Sequence, residues 1–329
     1  MSTRERVFVT RQIPSPGIEL LRSHFEVDVW PDPLPPSREQ LQSRSQGVFG
    51  LLTLLSDPVD AALMDAAGPS LQGIANYAVG YNNIDVREAH RRSIAVGNTP
   101  DALTDATADI AVGLVLAAAR HFQESILQVR ALEWKTWEPM GLLGLDLKGK
   151  TLGILGMGRI GAAVARTMVG GWKMKLLYTS RTDKPQIDSE LGGRRVPLEE
   201  LLSTSDVISI HTDLNPGTKH LIHRDTLSIM KRNAILVNTA RGGVIDQEAL
   251  YEALRAKTIF AAGLDVTDPE PLPSDSRLRE LPNCTILPHI GSATFVARNT
   301  MSIMAANNLI ATLHGQSMPH GVPIPKNAD

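Results

Sequence analysis

The segment Thr151–Gly161, with the sequence TLGILGMGRIG, decides how the rest of the chain is interpreted. A short apolar strand pattern leads into three glycines spaced Gly-x-Gly-x-x-Gly, and a helix pattern begins at Ile160. In such a unit the first glycine permits the tight turn, the second lets a pyrophosphate approach the backbone, and the third allows helix and strand to pack closely. The N–H groups at the start of the helix favour a phosphate charge. A purely structural turn is the alternative. The predicted dinucleotide contacts are Gly156, Gly158, Arg159, Ile160 and Gly161.

Short strand patterns alternate with helix patterns on both sides of this segment, which predicts parallel sheets covered on both faces. One series occupies the first hundred residues and a second begins at Lys150. A final helix, Ala297–Leu313, is placed to return the chain to the first domain. We therefore predict an α/β protein with two Rossmann- or flavodoxin-like parallel-sheet domains and an active-site cleft between them. The substrate domain is discontinuous (residues 1–101 and 292–329), and residues 102–291 form the nucleotide-binding domain.

A long helical pattern rich in Ala, Leu and Val, Thr104–Arg130, separates the two series and is interpreted as a single helix. Its middle, Ile110–Ala119, is apolar on nearly every side, which predicts burial all round. A core helix and a subunit interface both account for this pattern. The second interpretation predicts a homodimer built from this helix and the following loop, Trp134–Leu147.

Composition limits the partners and the compartment. The net charge of −2 gives no excess of positive charge that would favour binding to nucleic acid or to an anionic membrane. Neither a secretory leader nor an apolar run of about 20 residues is visible, so we expect a cytoplasmic protein that does not contact the membrane. The single cysteine, Cys284, precedes an apolar strand pattern and is interpreted as an inert core residue. No metal site is predicted.

The residues after the strand pattern that follows the glycine motif distinguish an NAD site from an NADP site. An NAD site places an acid about 20 residues beyond the glycine motif, where it accepts hydrogen bonds from the ribose 2′-hydroxyl. Here Ser180 stands at that position, and Arg181 follows it. A serine can donate to a 2′-phosphate and a guanidinium can pair with it, while Lys184 adds a second positive charge. This predicts NADP(H), with NAD(H) as the weaker alternative. The competing interpretation makes Asp183 the ribose acid.

Three later strand patterns end in polar residues that a structural turn does not need. Arg241, Glu270 and His289 follow successive strand ends, where ligands bind in an open α/β sheet. Arginine suits an anionic keto acid, histidine can deliver a proton near neutral pH, and a carboxylate can fix the tautomer of the imidazole. Taken singly, each could be a surface arginine, a loop carboxylate or a strand-end histidine. Together they predict the catalytic group of a keto-acid reductase.

These motifs resemble those of the D-isomer-specific 2-hydroxyacid dehydrogenases, above all of the glyoxylate/hydroxypyruvate reductase branch. The resemblance rests on Gly153–Gly161, Asn238–Gly243, Gly263–Pro271 and Pro288–Thr294. It implies NADPH-dependent reduction of glyoxylate to glycolate and of hydroxypyruvate to D-glycerate, with Arg241, Glu270 and His289 as the catalytic trio. The implied substrate contacts are Leu55, the N–H groups of Val79 and Gly80, Trp137 and Ser292. The further implied cofactor contacts are Thr107, Thr239, Asp265 and Gly291.

Other members of the fold are open alternatives. The trio serves any 2-keto acid, so a 2-ketogluconate or hydroxyphenylpyruvate reductase is possible. The loop Tyr81–Asn83 lacks the Asp-His that often follows the Val-Gly pair, which leaves substrate selectivity open. Glu270 argues against a formate dehydrogenase, which uses a glutamine with the histidine. A dinucleotide-sensing regulatory protein is less consistent with Ser180 and Arg181.

Overall fold

The computed structural model describes residues 4–323; Met1–Thr3 and the end of the Pro319–Asp329 tail lie outside this range. The chain divides into two compact units, Met1–Leu103 with Ala293–Asp329, and Thr104–Ser292. The strands are β1 (Arg6–Val9), β2 (Glu26–Val29), β3 (Gly50–Thr53), β4 (Gly73–Asn76), β5 (Ala95–Gly97), β6 (Thr151–Leu155), β7 (Lys175–Thr179), β8 (Arg194–Arg195), β9 (Val207–Ile210), β10 (Ile235–Asn238), β11 (Ala261–Leu264) and β12 (Cys284–Ile286).

The α-helices alternate with these strands along the chain. They are α1 (Ser15–His24), α2 (Arg38–Ser45), α3 (Ala61–Ala67), α4 (Val86–Arg91), α5 (Thr104–Ala119), α6 (Phe122–Arg130), α7 (Arg159–Trp172), α8 (Pro185–Leu191), α9 (Leu198–Thr204), α10 (Arg224–Ser228), α11 (Gln247–Arg255) and α12 (Phe295–Leu313). Several begin at polar caps, because the first N–H groups of a helix have no partner within it. Ser37 and Gln40 form a capping box, and Asp60 accepts from Leu63 N–H.

The first unit is built on a five-stranded sheet in the order β2-β1-β3-β4-β5, with parallel pairing throughout. Apolar side chains cover both faces of this sheet, and α12 joins α1 over one of them. The two helices approach closely at Gly17, where an added Cβ would lie 2.3 Å from the carbonyl oxygen of Ser302. The return of the chain through α12 therefore completes the core of this unit.

The second unit is built on a seven-stranded parallel sheet in the order β12-β11-β10-β9-β6-β7-β8. Helices α5 and α7 pack over one face, with buried Ala111, Val115 and Val164 in the same apolar cluster. Cys284 is buried within the other cluster of this unit, and burial raises the pKa of its thiol to about 12. The prediction that Cys284 is a core residue is confirmed, as is the α/β fold with two parallel sheets.

The prediction of one helix over Thr104–Arg130 is wrong. The helix is interrupted between α5 and α6, and the axes of these two helices differ by 68°. His121 adopts the left-handed region with φ of 54°, and its ring hydrogen-bonds the carbonyl oxygen of Leu143 at 3.2 Å. Burial all round the middle of α5 is also wrong, because Gly113 is exposed. Neither glycine nor proline at Arg120–Phe122 signals this change of direction in the sequence.

Two further observations concern the chain between residues 4 and 323. No single helix there is long and apolar enough to cross a membrane; α5 and α6 reach that length only when taken together across their bend. In the same range, no group of three or more His, Cys, Asp or Glu side chains could hold a metal ion.

Candidate active site

The glycine turn after β6 contains two glycines that the fold requires and one that it does not. Gly156 has φ of 100°, and an added Cβ would lie 2.6 Å from the carbonyl oxygen of His211. At Gly161 an added Cβ would lie 2.4 Å from the carbonyl oxygen of Gly156. A Cβ at Gly158, in contrast, would meet no protein atom within 4 Å. Gly158 is the N-cap of α7 and supplies no side-chain cap. The turn therefore leaves space and N–H groups for a phosphate, as a bound dinucleotide needs.

The loop after β7 is fixed by a residue that the sequence reasoning missed. Arg195, on the short strand β8, donates to the carbonyl oxygen of Ser180 at 3.0 Å and forms an ion pair with Asp183 at 2.7 Å. It also donates to the carbonyl oxygen of Arg181 at 3.4 Å. The Ser180 hydroxyl donates to the carbonyl oxygen of Thr182. Asp183, the competing candidate for the ribose acid, is thus paired with an arginine.

Asp265 organises the segment that carries His289. Its two carboxylate oxygens accept hydrogen bonds from the N–H groups of Ile290 and Gly291, each at 2.8 Å. The Thr107 hydroxyl on α5 donates to the carbonyl oxygen of Gly291 at 3.1 Å. Burial raises the pKa of Asp265, although the two N–H groups and His289 act in the opposite direction. Thr107, Asp265 and Gly291, three predicted cofactor contacts, therefore lie together.

Glu270 and His289 form a direct pair, between Oε1 of the carboxylate and Nδ1 of the imidazole. Burial favours the neutral acid, but the pKa of Glu270 is nevertheless lowered, because its contact with His289, the Thr267 N–H and the charge of Arg241 stabilise the anion. An ionised carboxylate can only accept hydrogen bonds. The proton of this contact therefore resides on Nδ1, and Nε2 is the other nitrogen of the ring.

Arg241 follows β10 in a turn that hydrogen bonds of the Asn238 side chain hold in place. Asn238 donates to the carbonyl oxygen of Arg241 and accepts from the N–H of Ala240, both at 2.9 Å. Burial lowers the pKa of Arg241, while the charges of Glu270 and Asp213 act against this shift. The turn also packs against the Glu270 segment, since an added Cβ at Gly242 would lie 2.0 Å from the backbone of Thr267. The segment of Arg241 therefore packs directly against the segment of Glu270, and Glu270 in turn contacts His289.

The first unit presents two backbone donors at the loop after β4. In the part of the chain that the structure describes, neither Val79 N–H nor Gly80 N–H donates a hydrogen bond, and both residues are half-buried. A buried N–H without an acceptor is unfavourable, so adjacent ones typically indicate a binding position for an anion. Leu55, in the loop after β3, is 40% exposed.

Comparison with known proteins identifies the family. A family model described as D-isomer specific 2-hydroxyacid dehydrogenase, NAD binding domain, matches residues 112–291. The chain belongs to this family. The chain is 48% identical over 318 residues to the glyoxylate reductase of Korarchaeum cryptofilum, covering 96% of this chain and 95% of that protein. It is 45% identical over 316 residues to the human glyoxylate reductase/hydroxypyruvate reductase, covering 95% and 96% of the two chains.

The solved structures show the same relationship. The NADPH-dependent glyoxylate/hydroxypyruvate reductase of Sinorhizobium meliloti, in complex with NADP and malonate, superposes with a TM-score of 0.84 at 32% identity. The match covers 99% of this chain and 100% of that chain. The resemblance inferred from the motifs is therefore confirmed at the level of the family, and the cofactor of this dehydrogenase is a nicotinamide dinucleotide.

His211 is a second residue of the dehydrogenase that the sequence reasoning missed. Its ring lies between the Ser209 hydroxyl, 2.8 Å from Nε2, and the Thr239 hydroxyl, 3.4 Å from Nδ1. Burial lowers its pKa to about 3, so the ring is neutral at physiological pH. His211 directly follows β9, so the rule that located Arg241 at a strand end could have located it. The carbonyl oxygen of His211 lies close to Gly156 of the glycine turn, and its ring contacts the Thr239 hydroxyl.

Two predicted substrate contacts of the second unit differ in their surroundings. Ser292 is half-buried and follows the segment held by Asp265. Trp137, in contrast, is 78% exposed and lies in a loop with other exposed apolar side chains. The indole is therefore not packed into its own chain.

Proposed function

We propose that this dehydrogenase reduces glyoxylate to glycolate and hydroxypyruvate to D-glycerate, with NADPH as the hydride donor. The observation that carries the proposal is the Glu270–His289 pair, joined to Arg241 in the unit that also contains the open glycine turn. A relative with these two activities in its name is 45% identical over nearly the whole chain, which supports the choice of substrate.

The chemical roles follow from the protonation of the pair. When bound, NADPH would supply a hydride to the carbonyl carbon of the keto acid. His289 donates a proton from Nε2 to the carbonyl oxygen, so the product is a hydroxy acid and the imidazole becomes neutral. Before the transfer, the Glu270 carboxylate stabilises the imidazolium and holds the ring through Nδ1. Arg241 binds the negative charge of the substrate.

We assign the substrate carboxylate to the N–H groups of Val79 and Gly80, which are free to donate. Leu55, Ser292 and Trp137 are the further substrate contacts of this proposal. The first unit thus acts as the substrate domain and the second as the nucleotide-binding domain.

NADPH rather than NADH is proposed from the loop after β7. Ser180 and Arg181 stand where a 2′-phosphate would bind, and no carboxylate occupies the position of Ser180. Asp183 is paired with Arg195, which supports Ser180 and Arg181 over Asp183 as the residues that contact the ribose. Within the second unit, the proposed cofactor contacts also include Gly156, Gly158, Arg159, Ile160, Gly161, Thr107, Thr239, Asp265 and Gly291.

A cofactor-by-substrate matrix of kcat/KM tests this function. NADPH and NADH are each assayed with glyoxylate, hydroxypyruvate, pyruvate and 2-ketogluconate. We expect the highest values for NADPH with glyoxylate and hydroxypyruvate. A higher value with 2-ketogluconate would assign a different reductase. Binding of NADPH without turnover of any of the four acids would favour a dinucleotide sensor.

The same matrix applied to Ser180→Asp tests the cofactor assignment. A carboxylate there would repel the 2′-phosphate and accept from a ribose hydroxyl, so the NADPH-to-NADH ratio of kcat/KM should fall roughly 100-fold. Ser189→Asp introduces the same charge at an exposed position on α8 and serves as the control. An unchanged ratio in Ser180→Asp would contradict the assignment.

We also propose a homodimer formed through α6 and the loop Trp134–Leu147. Single exposed apolar residues are common, but a concentration of large exposed apolar side chains in one segment, Phe122–Leu143, is typical of an interface. Its exposed side chains are Phe122, Ile126, Leu127, Val129, Leu132, Trp134, Trp137, Met140 and Leu143. In such a dimer Trp137 would serve the active site of the partner subunit, consistent with its exposure in a single chain.

Leu127→Glu tests the interface, because a charge in an apolar contact is strongly unfavourable. We expect the variant to sediment as a monomer where the wild type sediments as a dimer. Leu34→Glu, at an apolar residue that is 71% exposed in the first unit, provides the control and should sediment as the wild type does. A monomeric wild type, or a dimeric Leu127→Glu variant, would contradict the proposal.

A further inference from the structure

The loop Ala78–Gly80 is held by hydrogen bonds to three successive carbonyl oxygens. The Thr99 N–H donates to Ala78 at 2.9 Å, the Asn98 side-chain amide donates to Val79 at 2.7 Å, and the Asn76 amide donates to Gly80 at 2.9 Å. Two of these donors are side chains, at positions where the sequence suggested no role. Thr99 and Asn76 are fully buried, so the loop is attached to a rigid part of the first unit.

These contacts determine the direction of the two free N–H groups. In a trans peptide the C=O of one residue and the N–H of the next lie in one plane and point in opposite directions. The Val79 carbonyl oxygen therefore shares its plane with Gly80 N–H, and the Ala78 carbonyl oxygen shares its plane with Val79 N–H. Because the segment Asn98–Thr99 binds both carbonyl oxygens, both N–H groups face away from this segment.

Asn98 is in turn fixed by the helix that returns to the first unit. Asn308 on α12, which is fully buried, donates to the carbonyl oxygen of Asn98 at 3.0 Å. The N–H of Asn98 donates to the carbonyl oxygen of His320 at 3.1 Å, and Asn308 accepts from the N–H of His320 at 3.0 Å. The Asn98 side chain thus has a defined position from which to hold Val79.

We propose that Asn98 is a positioning residue for substrate binding. Its amide fixes the peptide between Val79 and Gly80, so that Gly80 N–H is aligned with the substrate carboxylate before the substrate arrives. Preorganised donors lose less entropy on binding than donors of a mobile loop. Asn98 acts through the backbone and does not itself touch the substrate. The inference rests on the proposed function, in which the Val79 and Gly80 N–H groups bind that carboxylate.

Asn98→Leu and Asn98→Asp test the inference with NADPH at saturation. Leucine keeps the approximate shape and removes the donor, while aspartate places an acceptor beside the Val79 carbonyl oxygen. We expect both variants to raise the KM for glyoxylate roughly tenfold, as for the loss of one hydrogen bond, with little change in kcat. The inhibition constant of oxamate, which carries the same carboxylate, should rise by the same factor. The KM for NADPH should remain that of the wild type.

Asn283→Leu is the matched control. Its side-chain amide, like that of Asn98, donates to backbone carbonyl oxygens, here those of Leu254 and Phe260 in the second unit. This variant should lower the melting temperature and leave the KM for glyoxylate unchanged. If the Asn98 variants behave in the same way, the role of Asn98 is structural only and the inference is wrong.

The two variants also distinguish the inference from charge repulsion in Asn98→Asp and from failure of the proposed function. A rise in KM in Asn98→Asp alone would show repulsion by the new charge rather than loss of the donor, and would overturn the inference. Failure of the wild type to reduce any 2-keto acid would instead overturn the proposed function. In that case, loss of oxamate binding to the NADPH complex in Asn98→Leu would still support the positioning of a carboxylate site.

Discussion

Replacing His289 with alanine is expected to lower kcat for glyoxylate reduction by roughly 10²–10⁴-fold, the usual contribution of a general acid. The reason lies in the pair with Glu270, which holds Nδ1 and leaves Nε2 to deliver the proton. Without the imidazole, the developing alkoxide must take its proton from water. Steady-state kinetics with saturating NADPH measure this effect, and the dissociation constant of NADPH should stay within about twofold.

The controls for this prediction separate acid catalysis from folding. His90→Ala removes an exposed histidine from α4 and should leave kcat unchanged. His289→Gln keeps a polar side chain of similar reach but cannot act as an acid near neutral pH, so it should be nearly as slow as His289→Ala. Turnover close to wild type in both His289 variants would mean that another group protonates the substrate.

Arg241→Ala is expected to reduce kcat/KM for glyoxylate by roughly 10²–10³-fold, mainly through a higher KM. Loss of one partner from a buried, charged contact costs about 2–5 kcal/mol, and each 1.4 kcal/mol corresponds to a factor of ten. Arg241 is half-buried, so its guanidinium is partly withdrawn from water and would gain from an anionic ligand. The measurement is the full dependence of rate on glyoxylate concentration with saturating NADPH.

Arg241→Lys refines this prediction. Lysine restores the charge but not the planar fork, so only part of the lost kcat/KM should return. Arg255→Ala removes an arginine that is exposed on α11 and should have no effect on the kinetics. If Arg241→Ala leaves the KM for glyoxylate unchanged, the arginine does not bind the ground-state substrate.

The sequence predicts the parts of this fold that follow a simple period. Strand β6 and the start of α7 are located by a short continuous apolar run and by the glycine spacing, and the structure has them within a residue of where the pattern indicates. The break before α6 was not predicted, because neither glycine nor proline stands at Arg120–Phe122, where the backbone turns. Strand β8 consists of two exposed arginines, and such a segment has no apolar signature at all.

The candidate site likewise contains residues that a sequence pattern locates and residues that no pattern locates. Arg241, Glu270 and His289 were found because polar residues at the ends of parallel strands mark a ligand site in this architecture. Asn98 and Arg195 act on carbonyl oxygens of other segments, and such contacts depend on the path of the backbone rather than on any spacing along the chain. A sequence pattern contains residue types and distances along the chain, but not the direction of a peptide plane.

The return of the chain through α12 has a consequence for biosynthesis. The apolar face of the first sheet, with Val9 and Leu52, is covered by Met301, Ala305 and Leu309, which the ribosome adds only after Thr104–Ser292. The whole of Thr104–Ser292 emerges between these two parts and is contiguous, so it can complete its own core during translation. Until α12 emerges, the apolar face that contains Val9 and Leu52 is uncovered. We therefore expect this nascent segment to be the part of the growing polypeptide most exposed to aggregation.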